Sequence, residues 1–93
     1  MTHYVQDFFK MYQRYDTIKE EIIEIITEYK DIIAWSSSEG KIFDFELNHN
    51  SFTILIKATD IPYSFINKLN EYIGKNCKMI GKTSNHISIT WRI

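Results

Sequence analysis

In the first third of the chain the apolar residues Phe8, Met11, Tyr15, Ile18, Ile22, Ile25, Tyr29 and Ile32 recur in alternating steps of three and four. That spacing puts all eight on one stripe and predicts an amphipathic helix from about Tyr4 to Ile33. Glu20, Glu24, Glu28 and Asp31 fall on the other side as an acidic ridge. Thr17-Ile-Lys-Glu20 matches a capping box and offers a break near Asp16, although the heptad phase runs through that point without a slip.

Past Trp35 the period falls to two. Ile32 to Ser37 reads as a first strand and Ser36 to Gly40 as the turn after it. From Lys41 to Leu47, Phe43, Phe45 and Leu47 alternate with Asp44 and Glu46; after the Asn48-His-Asn50 turn, Phe52, Ile54, Ile56 and Ala58 continue the alternation. These segments predict a three-stranded meander. Asp60-Ile-Pro62 begins a short helix whose apolar face is Phe65, Ile66, Leu69, Tyr72 and Ile73, and Gly74 ends it. Cys77 to Lys82 and Ile87 to Ile93 read as a hairpin around Thr83-Ser-Asn85, with Ile87, Ile89, Trp91 and Ile93 on one face and Cys77 in phase with Met79 on the same core side. The expected fold is α+β in the order α-β-β-β-α-β-β. It has a five-stranded, mainly antiparallel sheet covered on one face by a long N-terminal helix and a short second helix, in one domain spanning residues 1–93.

Burying the eight stripe residues would gain roughly 12–24 kcal/mol gross at about 1.5–3 kcal/mol each. The stripe therefore needs a cover. A 30-residue helix would be about 45 Å long, more than a sheet of short strands spans. A part of the stripe, Phe8, Met11, Tyr15, Ile18 and Ile22, is therefore a candidate homodimer contact, with Phe9, Ile23, Ile26 and Ile33 widening the apolar surface. The last strand, read as a free edge, is a second candidate dimer contact.

Composition refines the picture in three ways. With 44% hydrophobic and 15% aromatic residues, the chain is far from the composition of disordered proteins. Its net charge of −1 hides an asymmetry: residues 1–46 hold ten acids and five bases, and residues 47–93 hold two acids and six bases. One cysteine, Cys77, allows no internal disulfide, and neither a Cys/His ligand cluster nor a cofactor motif is present, so neither metal nor cofactor is expected. The chain has no stretch apolar enough for a membrane span, which predicts a soluble, cytoplasmic protein, in the host cytoplasm if the source is viral. Seventeen Ile against two Ala is the bias of AT-rich coding sequence, as in some bacteria, phages, mobile elements and viruses.

The candidate chemistry is modest. Lys75, Lys78, Lys82, His86 and Arg92 follow the last acid, Glu71, and with Ser88 and Thr90 would form a basic, hydroxyl-bearing face on the last hairpin. Such a face suits an acidic protein partner, or the phosphates of a nucleic acid, although Trp91 points to the core and supplies no stacking. The acidic ridge reads as a solvated helix face or a phosphate mimic shown to a nucleic-acid-binding enzyme. His3, His49 and His86 are scattered, and Cys77 could meet His86 across the hairpin as nucleophile and base only if it left the core side.

The α-β-β-β-α order is similar to that of double-stranded RNA-binding domains, but Asp60-Ile-Pro-Tyr-Ser-Phe65 stands where those domains carry a basic cluster. With two further strands the order also resembles small dimeric secretion chaperones, which end in a helix this chain lacks. Neither resemblance reaches the residues. The reading these features favour is a small, non-enzymatic protein-binding domain, of the anti-CRISPR-like kind with which phages and mobile elements inhibit a host factor such as a defence nuclease. The alternative is nucleic-acid binding through the basic face of the last hairpin.

Overall fold

The computed structural model describes residues 13–37 and 40–92. Helix α1 spans Tyr15–Glu28. Strand β1 follows at Ala34–Trp35, β2 at Phe43–Leu47, β3 at Ser51–Ile56 and β4 at Ala58–Asp60. Helix α2 covers Tyr63–Ile73, and β5 (Met79–Lys82) and β6 (Ile87–Arg92) close the chain. The fold is α+β, and its helix and strand order matches the one read from the pattern, with the end of the third expected strand set apart as the short β4.

The sheet is divided differently. A four-stranded antiparallel sheet runs β2-β3-β6-β5, and β1 pairs with β4 in a separate two-stranded sheet. The expected meander fails because the ladder of β2 and β3 ends before the chain reaches Ala58. The last β2–β3 pair is Phe43 with Ile56; beyond it Lys57 turns the chain, accepting a hydrogen bond from the Ser36 N–H, and β4 meets β1 with Trp35 opposite Ala58. The last strand is likewise not an edge: β6 lies between β3 and β5, so the outer strands among the described residues are β2 and β5. Met79 also departs from expectation, pairing with Thr90 on the open face rather than facing the core with Cys77.

Alternation along β3 and β6 sends Phe52, Ile54, Ile56, Ile87, Ile89 and Trp91 to one face, where all are buried. Ile18, Ile22, Ile25 and Ile26 of α1 and Phe65, Ile66 and Leu69 of α2 join them in one core, so both helices cover the same face. Aromatic rings line the seam. Tyr15 meets Phe52 edge-on at 6.2 Å, Phe45 stacks on Phe52 at 6.2 Å, and Tyr29 tilts against Phe65 at 5.4 Å.

Gln13 is helical, but Arg14 is a turn residue in the cap position and α1 starts afresh at Tyr15, so the helix is interrupted close to Asp16; the break does not use the capping box, because Thr17 lies inside α1 and no side-chain bond caps its start. The helical stripe ends at Tyr29, earlier than its period suggests. Turn hydrogen bonds from Ile32 and Ile33 to the Tyr29 carbonyl redirect the chain, and the Trp35 indole donates to the Lys30 carbonyl at 2.8 Å. Ile33 turns into the core, while Ile32 is left 60% exposed. The second helix ends as expected, with Gly74 in the left-handed region at φ 82°, where its N–H donates to the Asn70 carbonyl.

Candidate functional site

Asn70, near the end of α2, ties the helix to the sheet. Its Oδ1 accepts the Cys77 N–H at 2.9 Å and the Trp91 indole N–H at 2.9 Å. This arrangement fixes the chain between α2 and β5 against the C-terminal end of β6. Lys75, Asn76, Cys77, Lys78 and Arg92 line a depression there. Three cations thus come together at one corner of the sheet, and Met79 and Ile80, exposed by 61% and 45%, adjoin them on the edge strand. The corner combines positive charge with apolar surface.

The other residues expected on the basic face lie elsewhere. Lys82 pairs in register with Ile87, which puts it on the helix side at the far end of the hairpin, with its Nζ 3.5 Å from the Asp60 carboxylate. His86 belongs to the turn at that same end, where its N–H donates to Thr83 Oγ1. Cys77 and His86 are therefore at opposite ends of the hairpin and cannot act as a nucleophile and base pair. Ser88 and Thr90 do reach the open face, where Thr90 Oγ1 lies 3.0 Å from Thr53 Oγ1. Their neighbourhood is not basic, because the acids Asp44 and Glu46 line a depression beside them with Thr53, Leu55 and Ser88.

Among the candidate dimer residues, Ile18 and Ile22 are enclosed in the chain's own core and Tyr15 is half-buried against Phe52, so these positions already have an intramolecular cover. Phe8 and Met11 lie outside the described residues.

A second charged surface takes Glu24 and Glu28 from the acidic ridge but adds Glu21 and Glu71, which the linear pattern does not group with them. Glu21, Glu24 and Glu28 of α1 and Glu71 of α2 line a groove between the helices together with Ile25, Lys68 and Tyr72. Burial, followed by the hydrogen bond and negative charge of Glu21, pushes the Tyr72 phenol from its ordinary 10.0 up to about 12. The folded state therefore holds the phenolic proton more tightly than the unfolded chain. The resulting stabilisation is complete below pH 10.0 and is lost as pH rises toward about 12. Urea unfolding between these pH values should show Tyr72→Phe losing less stability than the wild type; equal slopes would mean that the phenol is not coupled to the fold.

Among the described residues no helix is long and apolar enough to cross a membrane, and no group of three or more His, Cys, Asp or Glu side chains could hold a metal ion. Comparison of the chain with protein-family models, with curated proteins and with solved structures finds no match in any of the three.

Proposed function

We propose that this protein is a small protein-binding domain that acts without catalysis, and that its binding surface is the corner formed by Lys75, Lys78, Arg92 and the edge strand β5. The observation that carries the reading is the juxtaposition of exposed Met79 and Ile80 with those three cations. Apolar side chains rimmed by charge suit a protein interface, where a desolvated centre supplies affinity and the charges supply orientation and on-rate. The partner is a protein with a complementary acidic surface. Small size and AT-rich composition support a narrower version, in which a phage or mobile element uses the domain to inhibit a host factor such as a defence nuclease.

The test is affinity capture from a host lysate, followed by calorimetry with the purified captured protein. The double variant Lys78→Glu/Arg92→Glu should bind at least tenfold more weakly with unchanged thermal unfolding, a loss of about 1.4 kcal/mol of binding free energy for each factor of ten. Unchanged affinity in the folded variant would remove this corner as the site.

The convergence of three cations also favours a second reading, nucleic-acid binding. That alternative predicts binding of a duplex or single strand at low salt, with log affinity falling by about 0.9 per neutralised duplex phosphate against log salt. Absence of binding at low salt would eliminate it.

A further inference from the structure

Strand β5 is an outer strand of the four-stranded sheet, so among the described residues one side of it has no strand neighbour. An open edge is a template for another extended chain, and charges on it turn away strands of like charge. At the opposite edge, β2 turns Asp44 and Glu46 outward while Phe43, Phe45 and Leu47 pack on the core. On β5 the consecutive residues Met79 and Ile80 are both exposed, one on each face of the sheet. Beside them Gly81 presents bare backbone at the edge, where a second strand can approach closely.

Cations lie at both ends of this edge. Lys78 precedes the strand, Lys82 ends it, and Lys75 and Arg92 border the depression at the Lys78 end. Lys82 touches Asp60 at 3.5 Å, but both groups are largely exposed, and such a pair exchanges readily with another carboxylate.

We propose that β5 is a strand-addition site for an extended segment of the partner protein, apolar at its centre and carrying carboxylates at both ends. The inference rests on the protein-binding reading and specifies how the partner is held. Antiparallel addition would set one acid opposite Lys82, an aromatic residue over Gly81, branched apolar residues opposite Ile80 and Met79, and a second acid near Lys78. Main-chain hydrogen bonds would supply much of the affinity and the alternating side chains the selectivity. A second copy of this chain is a poorer occupant. Antiparallel pairing of β5 with itself about Ile80 would oppose Lys78 of each copy to Lys82 of the other, and like charges directly opposite destabilise a strand pair.

The probe is a capped peptide, Thr-Glu-Tyr-Val-Val-Glu-Thr, titrated into the full-length ¹⁵N-labelled protein. Saturable shifts and slowed deuterium exchange confined to the amides of Met79–Lys82 and their immediate neighbours are expected. The same peptide with Lys for both Glu should bind at least tenfold more weakly, and Lys78→Glu/Lys82→Glu should reverse that preference. Charge-independent binding, or no binding of either peptide at millimolar concentration, would overturn the proposal, as would a peptide-free dimer with protected β5 amides. Shifts on the open sheet face or in the interhelical groove would also overturn it while leaving the protein-binding reading intact, since that reading is decided separately by the captured partner and the Lys78/Arg92 variant.

Discussion

Trp91→Ala is expected to destabilise the fold by about 3–5 kcal/mol, a large share of the roughly 5–15 kcal/mol available to a domain of this size. Trp91 is fully enclosed in β6, with its ring centroid 6.3 Å from that of Phe52. Its removal leaves a cavity between the sheet and α2, and the Asn70 carboxamide loses one of its two donors. The polar component can be separated. Trp91→Phe keeps most of the ring volume and removes the N–H, so it should cost much less. Asn70→Ala leaves both the Trp91 indole and the Cys77 amide without their acceptor, at about 1–3 kcal/mol for each group that stays buried and unsatisfied. In urea unfolding, a double cycle of Trp91→Phe and Asn70→Ala should give a loss smaller than the sum of the single losses; strict additivity would show that the hydrogen bond contributes nothing measurable.

Asn70 also shows why part of the candidate site is hidden from the sequence. A single Asn two residues before an apolar Tyr72-Ile73 pair looks like an ordinary solvated helix position, and its two partners lie 7 and 21 residues farther along the chain. The acidic interhelical groove is hidden for the same reason, because Glu21 and Glu71 become neighbours only after the two helices pack. Local periodicity, in contrast, carries the alternation of β2, β3 and β6 and the end of α2 at Gly74, since each is decided by residues two to four apart. The sheet order is a different kind of information. Nothing in the alternation of Phe43, Phe45 and Leu47 says that the β2–β3 ladder ends at the Phe43–Ile56 pair, beyond which residues 58–60 pair with β1 instead. Similarly, the basic residues of the last hairpin are close in sequence but fall on two faces and two ends. Lys82 pairs with Ile87 on the helix side and Arg92 with Ser51 on the open side, so the basic residues do not form one continuous face.

Two isoleucines of the same sequence stripe should respond to truncation in opposite ways. Ile22→Ala should cost about 2–5 kcal/mol, whereas Ile32→Ala should fall within about 0.5 kcal/mol of the wild type. Ile22 sits in the middle of α1 with no exposed surface, in the core that joins both helices to the sheet, and the rigid cover of β3 and β6 limits how far a cavity there can collapse. Ile32 continues the heptad on paper, but the turn after Tyr29 rotates it out of the stripe and Ile33 takes the buried place. Ile33→Ala should consequently resemble Ile22→Ala more than Ile32→Ala. Urea denaturation of the three variants gives the comparison directly, with an unchanged slope confirming that the folded and unfolded states keep their solvent exposure. If Ile32→Ala proved as costly as Ile22→Ala, Ile32 would have to be covered in solution, and the surface past the end of α1 would then become the first place to look for a second copy of the chain.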